Sequence, residues 1–128
     1  MQTRLKLASL LLLAATFAHA QQPSFQGTWT GQAVSGTGSQ VRVVLTIAGN
    51  GGKLRLSPSV NYVTTDQCHD RDIPVVVEAQ TESELTFAIQ GEKVLHGCIN
   101  ESATLKVVDA KTLKGTLKDG RSMTLVRK

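Results

Sequence analysis

Apolar and polar residues alternate with a period of two along most of the chain, the pattern of strands that bury one face and wet the other. The clearest run is residues 41–47. Val41, Val43, Leu45 and Ile47 face one way there, while Arg42 and Thr46 face water. Residues 28–34 set Trp29 and Ala33 on one face. Ile73, Val75 and Val77 alternate over residues 73–79. Leu85, Phe87 and Ile89 do the same, followed by Ala103, Leu105 and Val107. Residues 113–117 and 122–127 form the last pair, and residues 60–64, with Tyr62, read as a weaker strand. Pro74 has no backbone donor and marks a strand end or an edge. Residues 22–26 read as a lead-in, and no segment after residue 20 sustains a helical period.

Turn residues set the expected registers. Asn50-Gly51 is a hairpin signal, and a two-residue loop there pairs Ile47 with Leu54 and Leu45 with Leu56. At Asp119-Gly120 a two-residue loop would turn Met123 and Leu125 to the wrong face. A three-residue loop, Lys118-Asp119-Gly120 with Gly120 left-handed, pairs Leu113 with Leu125 and Gly115 with Met123. The expectation there is therefore a type I turn with a bulge. About eight short strands without crossover helices make an antiparallel sheet. In about a hundred residues, up-and-down strands of this kind predict an all-β closed barrel or a strongly curled sheet.

The first twenty residues break the pattern. Arg4 and Lys6 precede an apolar run over residues 7–17 that is too short to span a bilayer, and Ala18-His19-Ala20 places small residues where a signal peptidase reads. The expectation is a signal peptide over residues 1–20 and one β-barrel domain over residues 21–128. That domain is destined for the periplasm or the medium, with no lipid anchor and no membrane insertion after cleavage. A mature chain of that size buries roughly 65% of its unfolded surface, enough for one core. The net charge of +4 falls to +2 once Arg4 and Lys6 are removed, too little to argue for nucleic acid. Charge is uneven: residues 65–101 carry eight acids against Arg71 and Lys93, and the chain beyond is rich in lysine and arginine. Opposite charges pairing across adjacent strands account for this, and the alternative is a two-sided electrostatic surface that recognises a charged partner.

The chain has two cysteines, Cys68 and Cys98. In an oxidising compartment they are expected to form a disulfide. The loop it closes, about thirty residues, corresponds to about 3.5 kcal/mol of chain entropy.

The segment Phe25-Gln26-Gly27-Thr28-Trp29-Thr30-Gly31 resembles the Gly-x-Trp opening of the calycin superfamily, which includes lipocalins, fatty-acid-binding proteins and avidins. The resemblance covers about seven residues and one arginine. It implies a small calycin-like barrel in which Trp29 packs across one end and Arg127 stacks over it as a cation–π pair. The chain lacks the C-terminal helix of lipocalins, the paired helices of fatty-acid-binding proteins and the tryptophan-lined pocket of avidins, so the resemblance concerns architecture rather than ligand.

The candidate chemistry gathers around the cysteines. His69 follows Cys68, His96 precedes Cys98 by two, and Asp66, Asp70, Asp72 and Glu101 lie close in sequence. A disulfide brings the two histidines near each other. Imidazole with carboxylate suits Zn²⁺ or Cu²⁺, and His69, His96 and Asp70 are the candidate ligands, but their spacing matches no established ligand pattern. A polar loop pinned by a disulfide accounts for the same residues, and no metal or other cofactor is expected. His69 lacks a nucleophile in a recognisable context, which argues against an enzyme. The resulting expectation is a non-enzymatic binding protein of the bacterial envelope. Its contacts to an unidentified protein or small ligand come from the 66–72 loop, the 96–101 segment and the open barrel end. Two alternatives are a carrier of a small apolar ligand inside the barrel, and an inhibitor of a lysozyme-type or other exogenous enzyme.

Overall fold

The alternation folds into eight strands that close on themselves. The computed structural model describes residues 24–34, 38–59 and 66–128. The strands are β1 (Gly27–Val34), β2 (Gln40–Ala48), β3 (Gly51–Pro58), β4 (Ile73–Gln80), β5 (Glu84–Gln90), β6 (Asn100–Asp109), β7 (Thr112–Thr116) and β8 (Ser122–Arg127). Each pairs antiparallel with the next, and β1 also pairs with β8, so the sheet is a closed up-and-down barrel with no free edge. The weaker strand expected over residues 60–64 and the signal peptide lie outside the described residues. Among the described residues no helix is long and apolar enough to cross a membrane.

The inward positions are those the period of two selects. Leu45, Leu54, Ile73, Leu85, Phe87 and Leu125 are wholly buried and belong to one contiguous apolar cluster spanning all eight strands. Val41, Val77 and Val107 pack against its margin. Pro74 is the second residue of β4, opposite Lys53, which suits a residue with no backbone donor.

Two turns decide the registers. At β7–β8 the three-residue loop forms as expected: Leu113 faces Leu125, Gly115 faces Met123, and Gly120 is left-handed at φ 87°. The Gly120 amide donates to the Leu117 carbonyl at 3.0 Å, closing the turn. At β2–β3 the register differs from expectation by two residues. Leu45 faces Leu54, Ile47 faces Gly52, and Ala48 faces Gly51, so the loop is Gly49-Asn50. Gly49 at φ 61° takes the first central position of a II′-type turn. The side chain of Gln26 holds it there, donating to the Gly49 carbonyl at 3.0 Å and accepting from the Gly49 amide at 2.6 Å. A slip of two keeps every side chain on its own face, so parity could not separate the two registers.

Closure also depends on Gly31, which sits inward between Trp29 and Ala33. A Cβ at that position would lie 1.8 Å from the Thr124 carbonyl oxygen, so β1 and β8 approach there only because residue 31 has no side chain.

Candidate functional site

The two ends of the barrel differ in kind. One is sealed by residues 24–29. Phe25, in the segment read as a lead-in, turns into the core at 1% exposure. Its carbonyl accepts a 2.9 Å hydrogen bond from the buried Trp29 indole N–H. The Arg127 guanidinium lies 4.2 Å from the Trp29 ring centroid, donates to the Gln26 carbonyl at 2.7 Å, and also donates to the Ser24 carbonyl. The expected Trp29–Arg127 pair therefore forms, and it locks the entering chain across the barrel end.

Among the described residues, the opposite end is built from connections 38–39, 66–72, 91–99 and 117–121. The Cys68–Cys98 disulfide ties the second of these to the third, with Cα atoms 5.6 Å apart. The bridge fits a non-cytoplasmic location. A 3₁₀ turn, Gly91–Lys93, compacts the third connection, with the Gly91 amide donating to the Ile99 carbonyl at 2.8 Å and the Cys98 amide to Leu95 at 3.1 Å. Asp66 shapes the second connection: its carboxylate accepts from the Cys68 amide at 2.9 Å and faces His69 Nε2 at 3.5 Å. His69 is thereby laid over the barrel mouth with its side chain 11% exposed.

The mouth is a depression of about 390 Å³. Leu56, Ile99 and the disulfide give it an apolar wall, and His69, Glu101 and Arg121 supply the polar groups, with Asp66 and Asp119 beside them. Arg121 is bound to Asp119, Nε to Oδ2, at 2.6 Å. Glu101 occupies an inward position of β6, two residues before buried Ala103 and opposite buried Ile89. Its Oε1 is buried and has no hydrogen-bond partner in the protein, and the same holds for His69 Nδ1. Leaving a buried polar atom unpaired costs about 1–3 kcal/mol. A reading that grouped Glu101 with the polar rim passed over a signal already present: counting back by two from Ala103 and Leu105 turns this carboxylate inward.

The remaining candidates spread out. Asp70 is exposed and left-handed at φ 58°, and its amide donates to the Leu56 carbonyl at 2.8 Å. Asp72 leaves the mouth altogether and meets Arg55 at 3.1 Å and Lys53 at 3.7 Å on the outer wall. His96 is exposed and does not line the depression that His69 lines. Among the described residues no three histidine, cysteine, aspartate or glutamate side chains are arranged to hold a metal ion. The acidic and basic segments do meet across strands, with Lys106 3.7 Å from Glu84 on the outer face. Glu101 and Asn100 also border a second polar groove of about 570 Å³, lined further by Glu92, Lys93 and Lys118. Compared with protein-family models, with curated proteins and with solved structures, the chain matches none.

Proposed function

We propose that this protein is an exported, non-enzymatic binding protein of the bacterial envelope that engages its partner through the loop-built mouth of the barrel. The observation that carries this reading is the contrast between the two ends. One is plugged by Phe25, Trp29 and Arg127, which border an outer, mainly apolar hollow of about 480 Å³. The other presents a polar depression whose loops are fastened by a disulfide. A rigid barrel with one pinned, polar end is a scaffold for recognition, because ordered loops lose little entropy on binding. The inward positions carry bulky apolar side chains from every strand, which disfavours a carrier holding its ligand within the barrel.

The test is a photo-crosslinking amino acid placed in exporting cells at Lys118, beside the mouth, or at Thr86, on the outer wall. A discrete adduct from position 118 and none from 86 supports the reading. Equal labelling from both positions, or an apolar small molecule retained by the purified protein in native mass spectrometry, overturns it.

A further inference from the structure

We propose that the mouth receives one cationic side chain, a lysine or arginine presented by a protein partner. This deepens the binding reading above and rests on it. With Nε2 of His69 facing the Asp66 carboxylate, the ring proton is assigned to Nε2 and Nδ1 is left as an acceptor. The two buried atoms without partners in the mouth, His69 Nδ1 and Glu101 Oε1, are then both acceptors. The group that completes them is a hydrogen-bond donor.

Charge selects the kind of donor. Asp66, Glu101 and Asp119 line the depression against Arg121, whose guanidinium is already bound to Asp119. An anionic ligand meets repulsion there. An apolar ligand seals in a carboxylate oxygen with no hydrogen bond, which is unfavourable. A divalent ion finds no three suitable ligands among the described residues. A lysine or arginine fits on both counts. Its methylene stem lies along Leu56, Ile99 and the disulfide, and its head group supplies N–H donors with a positive charge. The Glu101 oxygen lies beneath the surface of the depression, so entry of the head group goes with a rotamer change of that side chain, a small adjustment of the kind common at interfaces.

The probes are N-acetyl-lysine methylamide and N-acetyl-arginine methylamide, with the norleucine analogue as an uncharged control. Each is titrated into the mature, disulfide-bonded protein and followed by amide NMR. The expected result is saturable shifts at His69, Asn100, Glu101 and Arg121 with the charged probes and none with norleucine. Binding should weaken about tenfold in Glu101→Gln and stay unchanged in Asp72→Asn, whose carboxylate sits on the outer wall. If Glu101→Gln fails to fold, Glu101→Asp keeps the charge and must still discriminate lysine from norleucine. Equal shifts with norleucine, no saturable shift with any probe, undiminished binding by Glu101→Gln, or a response to zinc chloride in place of the amines each overturns the proposal. If the probes fail while the adduct from position 118 still forms, the cation pocket falls and the binding reading survives. Loss of that adduct removes the binding reading whatever the probes do.

Discussion

Replacing Cys68 and Cys98 together by alanine isolates the contribution of the bridge to stability. Alanine is the better substitute because Cys98 is 4% exposed, and a serine hydroxyl there would add the cost of a buried polar group. Both cysteines lie in connections, so all eight strands keep their partners and the far-ultraviolet spectrum should not change. The loss falls mainly on the unfolded chain, which regains the freedom of a loop with a sequence separation of 30. The chain-entropy relation puts this at about 3.5 kcal/mol. Against the roughly 5–15 kcal/mol of a typical domain, that is about a quarter or more of the total. It corresponds to a fall in Tm of about 15–30 °C for a chain of this size. The assay is urea unfolding followed by fluorescence of Trp29, the one tryptophan, buried at the end away from the bridge. Its signal therefore reports global unfolding rather than loosening of the mouth. The slope on urea should rise as well, because an uncrosslinked chain exposes more surface. A cooperative transition shifted by less than about 1 kcal/mol, with the slope unchanged, would refute the reasoning, since it would mean that the unfolded chain already keeps these loops together.

Other substitutions probe the sealed end and the barrel closure. Arg127→Met keeps the methylene stem but loses the ring contact and two hydrogen bonds, so it should cost about 1–2 kcal/mol in urea unfolding and shift Trp29 emission. A change of only a few tenths would make Arg127 an ordinary surface residue. Gly31→Ala drives a methyl into the Thr124 carbonyl and should cost about 3 kcal/mol or more. Gly120→Ala, with open space around the added methyl, should cost only the left-handed penalty of about 1–2 kcal/mol. If thermal unfolding ranks these two the other way round, the close approach of β1 to β8 is wrong. The Asp109 carboxyl is held below its ordinary 3.8, first by the Lys111 amide that donates to it at 2.8 Å and then by Thr112. Because its folded value is depressed, its contribution is present above the ordinary carboxylate range and is lost as pH falls through the depressed value. Carboxyl-carbon NMR of the folded protein checks this, and titration of Asp109 at or above 3.8 counts against it.

Alternation placed the inward faces along the described strands, and the side chains of Val43, Leu45, Phe87 and Leu125 are buried as their parity requires. Local chemistry was equally legible where one residue type has one use. Gly120 had to be left-handed if Met123 and Leu125 were to stay inside, and a chain with two cysteines offered each of them one partner. Parity, however, defines a face and not a register. Ile47 against Leu54 and Leu45 against Leu54 bury the same residues, and the choice fell to Gln26, which grips Gly49 from outside the hairpin. The same limit hid Phe25, whose burial depends on the chain crossing the barrel end under Arg127 rather than on any neighbour in sequence. It also scattered the acidic loop. Asp66, Asp70 and Asp72 lie within seven residues, yet the first flanks the mouth, the second donates its amide to β3, and the third pairs with cations on the outer wall. Side-chain period and turn chemistry are short-range properties and can be read along a line. Which loop meets which, and which carboxylate oxygen is left without a partner, is set by the closure of β1 on β8 and by the bridge across the mouth, contacts between residues far apart in the chain.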